Sequence, residues 1–216
     1  MTAAQTTDNR RSRGEQTRQA LMRAAERLMA KSGVGNVTIR QIIAAAKQKN
    51  ESALQYHFKS LQGLIEAIHE ARSGLVRARR HQALEKALAA ERTPSLKTLA
   101  ALMVEPTFRL AQENPGFRRY IKAFSLTLAL EEGSALSLVQ RHGGGGEGGR
   151  ELGNLLRAAL PHLEEGRYRE RMEMAVVFCA ASIARHARQP HAFQGAAAEA
   201  FLTNLKDALA GLLAAP

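Results

Sequence analysis

Apolar positions recur at helical spacing along most of the chain. Leu21, Ala25 and Leu28, with Ala24 and Met29 beside them, predict a first helix, which the two glycines of KSGVGN (31–36) stop. Thr38 stands three residues before Gln41, the spacing of a capping box, in which each side chain satisfies an otherwise orphaned amide at a helix start. Ile39, Ile42, Ile43 and Ala46 then form the inward stripe of a short second helix. The segment KQKN (47–50) has no apolar residue and turns the chain, with Asn50 as cap of a third short helix whose inward pair is Leu54 and Phe58. Ser60 caps a fourth, and Leu61, Leu64, Ile65, Ile68, Ala71 and Leu75 carry its stripe on toward Thr93-Pro94.

The same periodicity predicts further helices over roughly 95–113, 117–140, 150–163, 166–188 and 196–213, so the expected fold is all-α. Composition agrees: 45% of residues are hydrophobic but only 5% aromatic, the excess being strong helix formers. The last two helices carry more small and apolar residues than one core-facing stripe needs. Pairing with a second copy would use both faces, which predicts a homodimer; the competing reading is a monomer that buries both helices. The expected organisation is a disordered basic arm over 1–12, a first helical domain over 13–62 and a larger helical, dimerising domain over 63–216.

Charge changes the picture because it is uneven. Of the net +11, residues 1–92 hold 17 Lys and Arg against 8 Asp and Glu, and residues 93–216 hold 14 against 12. A basic first part favours a polyanion through steering and counterion release; a basic surface kept for solubility is the plainer alternative. Cys179 is a lone cysteine, so no intramolecular disulfide forms, and no Cys/His spacing suits zinc. No apolar run approaches the roughly 20 residues that span a bilayer, and the N-terminus lacks a leader's apolar stretch. A cytoplasmic protein without metal or cofactor is expected.

The second and third helices, braced by the first, have the order of a helix-turn-helix, in which the later helix enters the major groove. Its outward residues should then be small or hydrogen-bonding. Asn50, Ser52, Ala53, Gln55, Tyr56 and His57 meet that demand, and Lys47, Lys49 and Lys59 bracket them with positive charge. From Arg18 to Ile68 the chain resembles the TetR family of bacterial transcriptional regulators, most clearly in AAERLMAKSG, VTIRQIIAAA and LQYHFKS followed by Leu64 and Ile65. The resemblance implies that Thr38 and Arg40 contact backbone or base edges. Asn50, Ser52, Ala53 and Gln55 would face the groove, with Tyr56, His57 and Lys59 at phosphates. For Tyr56 the alternative is a ring packed on the first helix, and for His57 a half-exposed filler beside Phe58. Two positions depart from the family's habit: Lys47 replaces a turn glycine, and Leu61 replaces a lysine.

The resemblance further implies a homodimeric repressor on a pseudo-palindromic operator, released by a small effector. Met103, Phe108, Phe117, Tyr120, Phe124 and Phe178 hold the flexible and aromatic surface of the second part, and are candidates for an apolar ligand site as well as for plain core. The run HGGGGEGG (142–149) contains G-x-G-x-x-G but lies among predicted helices, so it reads as a flexible linker. Adjacent Tyr56 and His57 sit about 100° apart on a helix and do not converge as an acid–base pair. No nucleophile or zinc-protease motif occurs, so an enzyme is not expected. The rival to the regulator is a non-specific nucleic-acid-binding protein without an effector.

Overall fold

A computed structural model describes the backbone of residues 3–130, 133–141 and 146–216, and the side chains of 12–126, 133–139 and 146–216. Among them ten α-helices and one 3-10 turn follow in order, with no strand. These are α1 (Ala3–Ser32), a turn at Val34–Asn36, α2 (Ile39–Ala45), α3 (Ser52–Phe58) and α4 (Leu61–Ala90). They are followed by α5 (Leu96–Glu113), α6 (Pro115–Leu130), α7 (Ala135–Arg141), α8 (Gly146–Ala159), α9 (Glu165–His186) and α10 (Gly195–Ala214). The chain divides into two compact units, 1–70 and 71–216, which meet within α4. Leu64 and Ile68, both fully buried, belong with the first unit.

Three expectations are corrected. The backbone of α1 is helical from Ala3, within the stretch expected as a basic arm. The single helix expected over 117–140 is two, because Gly133 takes φ +105 and the Ser134 hydroxyl accepts the Ser137 amide at 3.1 Å, opening α7. The linker expected over 142–149 lies outside the described residues at 142–145, and 146–149 form the first turn of α8. There Gly148 allows close approach: a Cβ would stand 3.3 Å from the His81 Cα. Asn50 does not cap α3. That position belongs to Glu51 without a side-chain bond, and the Asn50 Oδ1 accepts the Ser52 hydroxyl instead.

In the first unit, Leu21, Ala24, Ala25 and Met29 of α1, Ile42 and Ile43 of α2, and Leu54 and Phe58 of α3 are buried together. Each large side chain removed from water contributes roughly 1.5–3 kcal/mol. The capping box forms as predicted: the Thr38 Oγ1 accepts the Gln41 amide at 3.3 Å and the Gln41 Oε1 accepts the Thr38 amide at 2.9 Å. Lys47, at the turn, adopts φ +56, a left-handed conformation that disfavours a side chain.

In the second unit α5 and α10 are tied by charged groups. Arg109 donates to Glu105 at 3.1 Å and to Glu199 at 2.6 Å, and Lys97 meets Asp207 at 2.7 Å. Pro106 lies inside α5 and cannot bond the Leu102 carbonyl, which accepts from Arg80 Nε at 3.4 Å instead. Arg171 of α9 is buried with its guanidinium at the end of α10, where it donates to the carbonyls of Leu212 (3.1 Å) and Ala215 (2.7 Å). Those carbonyls have no partner within their own helix.

Gly63 fixes how α4 begins. A Cβ there would lie 2.1 Å from the Phe58 carbonyl oxygen, a backbone atom that cannot step aside. Gly63→Ala is therefore expected to destabilise the protein by at least about 2 kcal/mol in urea unfolding, whereas Lys47→Gly, which relieves a left-handed side chain, is expected to be neutral or stabilising by up to about 1 kcal/mol.

Candidate functional site

Seven residues make α3, and burial sorts them cleanly. Leu54 and Phe58, four apart, are 1% and 6% exposed, and the Arg18 guanidinium of α1 lies over the Phe58 ring at 5.5 Å. Ser52, Gln55 and Tyr56 share the opposite face and are exposed, Tyr56 to 75%. A Tyr56 ring packed on α1 is thereby excluded. Ala53 and His57, on the flank, are half-buried. His57 meets the Tyr56 ring edge-on at 5.0 Å, and its Cε1 lies 3.9 Å from where a Cβ on Gly14 of α1 would be. His57 thus has the surroundings of a packed filler.

Lys47, Lys49, Asn50 and Lys59 are exposed around this helix. Lys59 closes α3 at φ +67, with its amide donating to the Gln55 carbonyl at 3.1 Å. Arg40, with a side chain 91% exposed, comes within 3.5 Å of Glu51. So open an ion pair adds little to stability and is easily exchanged for a phosphate. The Thr38 hydroxyl is committed to the capping box, donating to Gln41 Oε1 at 3.1 Å while it accepts the Gln41 amide. Sequence reasoning missed three supporting residues: Gly63, Arg18 and Arg27, whose Nη2 donates to the Ala45 carbonyl at 3.3 Å and braces α2 on α1. Only Gly63 leaves a sequence signal, a glycine in the first turn of a helix.

A short α2, a tight turn and α3 with one buried and one polar face form a helix-turn-helix. The profile of the family described as "Bacterial regulatory proteins, tetR family" matches residues 21–68, and that of the "Tetracyclin repressor-like, C-terminal domain" matches residues 101–215. The second alone spans over half of the chain. The chain belongs to the TetR family. It is therefore a DNA-binding transcriptional regulator and not an enzyme, and TetR-family regulators are dimers that bind DNA and small ligands. No curated protein matches the chain. Solved structures that align with it include the following two. RolR in complex with its ligand resorcinol is 20% identical, covering 95% of this chain and 96% of that one at a TM-score of 0.47. GusR of Salmonella enterica is also 20% identical, covering 92% and 96% at a TM-score of 0.41.

In the TetR-like C-terminal domain the six ligand candidates fall into separate settings. Phe108 is fully buried among Phe193 (5.1 Å between ring centres), Phe201 (5.8 Å) and His186 (5.8 Å). Phe117, Tyr120 and Phe124 form a file of rings along α6, spaced 5.6 and 5.4 Å. Met103, Tyr120 and Phe178 are partly exposed against the same core, while Phe108 and Phe117 have no surface. Among the described residues no group of His, Cys, Asp and Glu could hold a metal ion. Burial pushes the Cys179 thiol up to about 12, so it stays a neutral thiol and a poor nucleophile.

His186 is buried and stacked on Phe201, with ring centres 3.7 Å apart and planes at 4°, and its Nε2 bonds the Ala192 carbonyl. Burial holds its pKa below the ordinary histidine value, and the Ala192 bond offsets only part of that. On acidification the unfolded chain takes up the proton first, near pH 6.5, so stability should fall as pH drops below that value and level off beneath the lower folded pKa. Urea titrations between pH 7.5 and 5 should show this loss for the wild type, and a smaller one for His186→Gln.

Proposed function

We propose that this TetR-family regulator is a homodimeric repressor that binds a pseudo-palindromic operator and is released by a small, apolar effector. The observation that carries the DNA-reading part is the division of α3. With Leu54 and Phe58 holding it to α1, it has Ser52, Gln55 and Tyr56 free to enter a major groove. Gln55 has the amide pair that recognises adenine, and Asn50, Ser52 and Ala53 are small enough for the backbone to come close. Tyr56, Lys49 and Lys59 reach phosphates, with Arg40 and the edge of His57 at the rim. Thr38 acts chiefly by fixing the start of α2.

Dimerisation through α9 and α10 is supported by what these helices expose. On α10 the exposed residues Ala197, Ala200, Asn204, Ala208 and Gly211 recur at three- and four-residue steps, a stripe of mostly small side chains that lets another helix come close. On α9 Met174 is 53% exposed, a large apolar side chain without cover in one chain. For the effector, Met103, Tyr120 and Phe178 are the residues with both apolar character and remaining surface.

Gel-shift titrations against operator variants test the groove reading. Gln55→Ala is expected to lower affinity by about ten- to a hundredfold at the operator and to relax preference at one base pair per half-site. Lys59→Ala should instead weaken all sequences alike and flatten the salt dependence. Equal, sequence-independent losses from both would show that Gln55 does not read a base. For the dimer, Ala208→Arg should shift the protein toward monomer in light scattering after gel filtration and lower operator affinity with it. An unchanged dimer would place the interface elsewhere.

A further inference from the structure

One stripe of α9 is left uncovered by the rest of its unit. Glu170, Met174, Val177, Ala181 and Arg185 follow at steps of four, three, four and four residues, the spacing of a single helix face. Met172, Ala175, Cys179, Ile183 and His186 lie on the other side of the helix and are buried. Within the stripe Glu170, Met174 and Arg185 are exposed, Met174 to 53%, and Val177 and Ala181 keep part of their surface. Among the described residues neither the Glu170 carboxylate nor the Arg185 guanidinium has a hydrogen-bond or ion-pair partner. The stripe thus runs from an unpaired acid, through three apolar side chains, to an unpaired base.

That order is self-complementary. Positions 170 and 185 are equally far from a point between 177 and 178, and so are 174 and 181. A second α9 laid antiparallel across that point by a two-fold axis brings Glu170 to Arg185 of the partner subunit, and the long Met174 to the small Ala181 of the partner subunit, each contact occurring twice. At a rise of about 1.5 Å per residue the charged pairs lie about 11 Å on either side of the axis. With the shallow crossing of about 20° common in helix bundles, the two helices diverge sideways by only about 4 Å at that distance, which an arginine stem can span. A slip of one turn in either direction unpairs both charges. We propose that α9 pairs antiparallel with α9 of a second copy, crossing between residues 177 and 178, and that the two Glu170–Arg185 pairs set this register and the choice of an identical partner. This rests on the dimer proposed above and specifies how it is locked. A related helix without the opposed charges would set Glu170 and Arg185 against groups that cannot pair with them, which is how charges at an interface reject wrong partners.

Two measurements on the full chain test the lock. Met174→Cys combined with Ala181→Cys should give a covalent dimer on mild oxidation. Either change alone should not, because equivalent positions are then about 10 Å apart along the helices, beyond the reach of a disulfide; the native Cys179 is buried. In sedimentation equilibrium, Glu170→Arg and Arg185→Glu each place like charges together twice per dimer and should raise the dimer dissociation constant about tenfold. The two combined restore opposite charges and should bring it back to within about threefold of the wild type. No covalent dimer from the paired cysteines overturns the register, and the dimer reading survives if Ala208→Arg still dissociates the protein. A covalent dimer with no effect of the charge changes, or no recovery when they are combined, overturns the role of the two pairs. A wild type that sediments as a monomer overturns both readings.

Discussion

The interface of this regulator depends on the pair Leu54 and Phe58. A seven-residue helix cannot hold itself in water, so α3 exists only because these side chains are buried within the first unit, where α3 packs on α1. They lie on one face, and the residues opposite are thereby turned outward as a fixed set rather than as a mobile loop. The Arg18 guanidinium over Phe58 and the close approach of Gly63 to the Phe58 carbonyl hold the far end of the helix. A base-reading helix must keep its side chains within tenths of an ångström of a productive position, and this anchoring supplies that.

The second unit solves a different problem, that of backbone groups left unpaired by its own sequence. Pro106 frees the Leu102 carbonyl and Arg80 takes it; the last turn of α10 leaves carbonyls that Arg171 collects. Arg109 and Lys97 join α5 to α10 through Glu199 and Asp207. Arginines thus serve here as internal fasteners as well as surface charges.

Much of the DNA-binding unit was legible because its signals are local. The Thr38–Gln41 box depends on a three-residue spacing, and the Leu54–Phe58 pair on a four-residue one; both form as the spacing demands. The cap of α3 was misread because Asn50 has the right chemistry one position too early, and its side chain is taken by Ser52. The break between α6 and α7 was missed although Glu131-Glu132-Gly133-Ser134 interrupts the apolar pattern with a glycine and a capping serine, because apolar residues resume directly after it. The glycine run was read as linker from composition, although Gly148 is there for the sake of His81, a contact distant in sequence. Gly63 and Arg80 act on backbone atoms of other elements, which no spacing rule encodes. The ligand candidates were chosen by residue type, and type cannot separate a walled-in Phe108 from a half-open Tyr120.

The central claim is that the polar face of α3 reads DNA as one of two symmetry-related heads. Hydroxyl-radical footprinting of the full-length protein on the DNA upstream of its own coding region tests it most directly. The account predicts two protected half-sites of an inverted repeat, centred one helical turn or a multiple of it apart, about 34–36 Å per turn. Protection spread evenly along the fragment, with no preferred site, would contradict it.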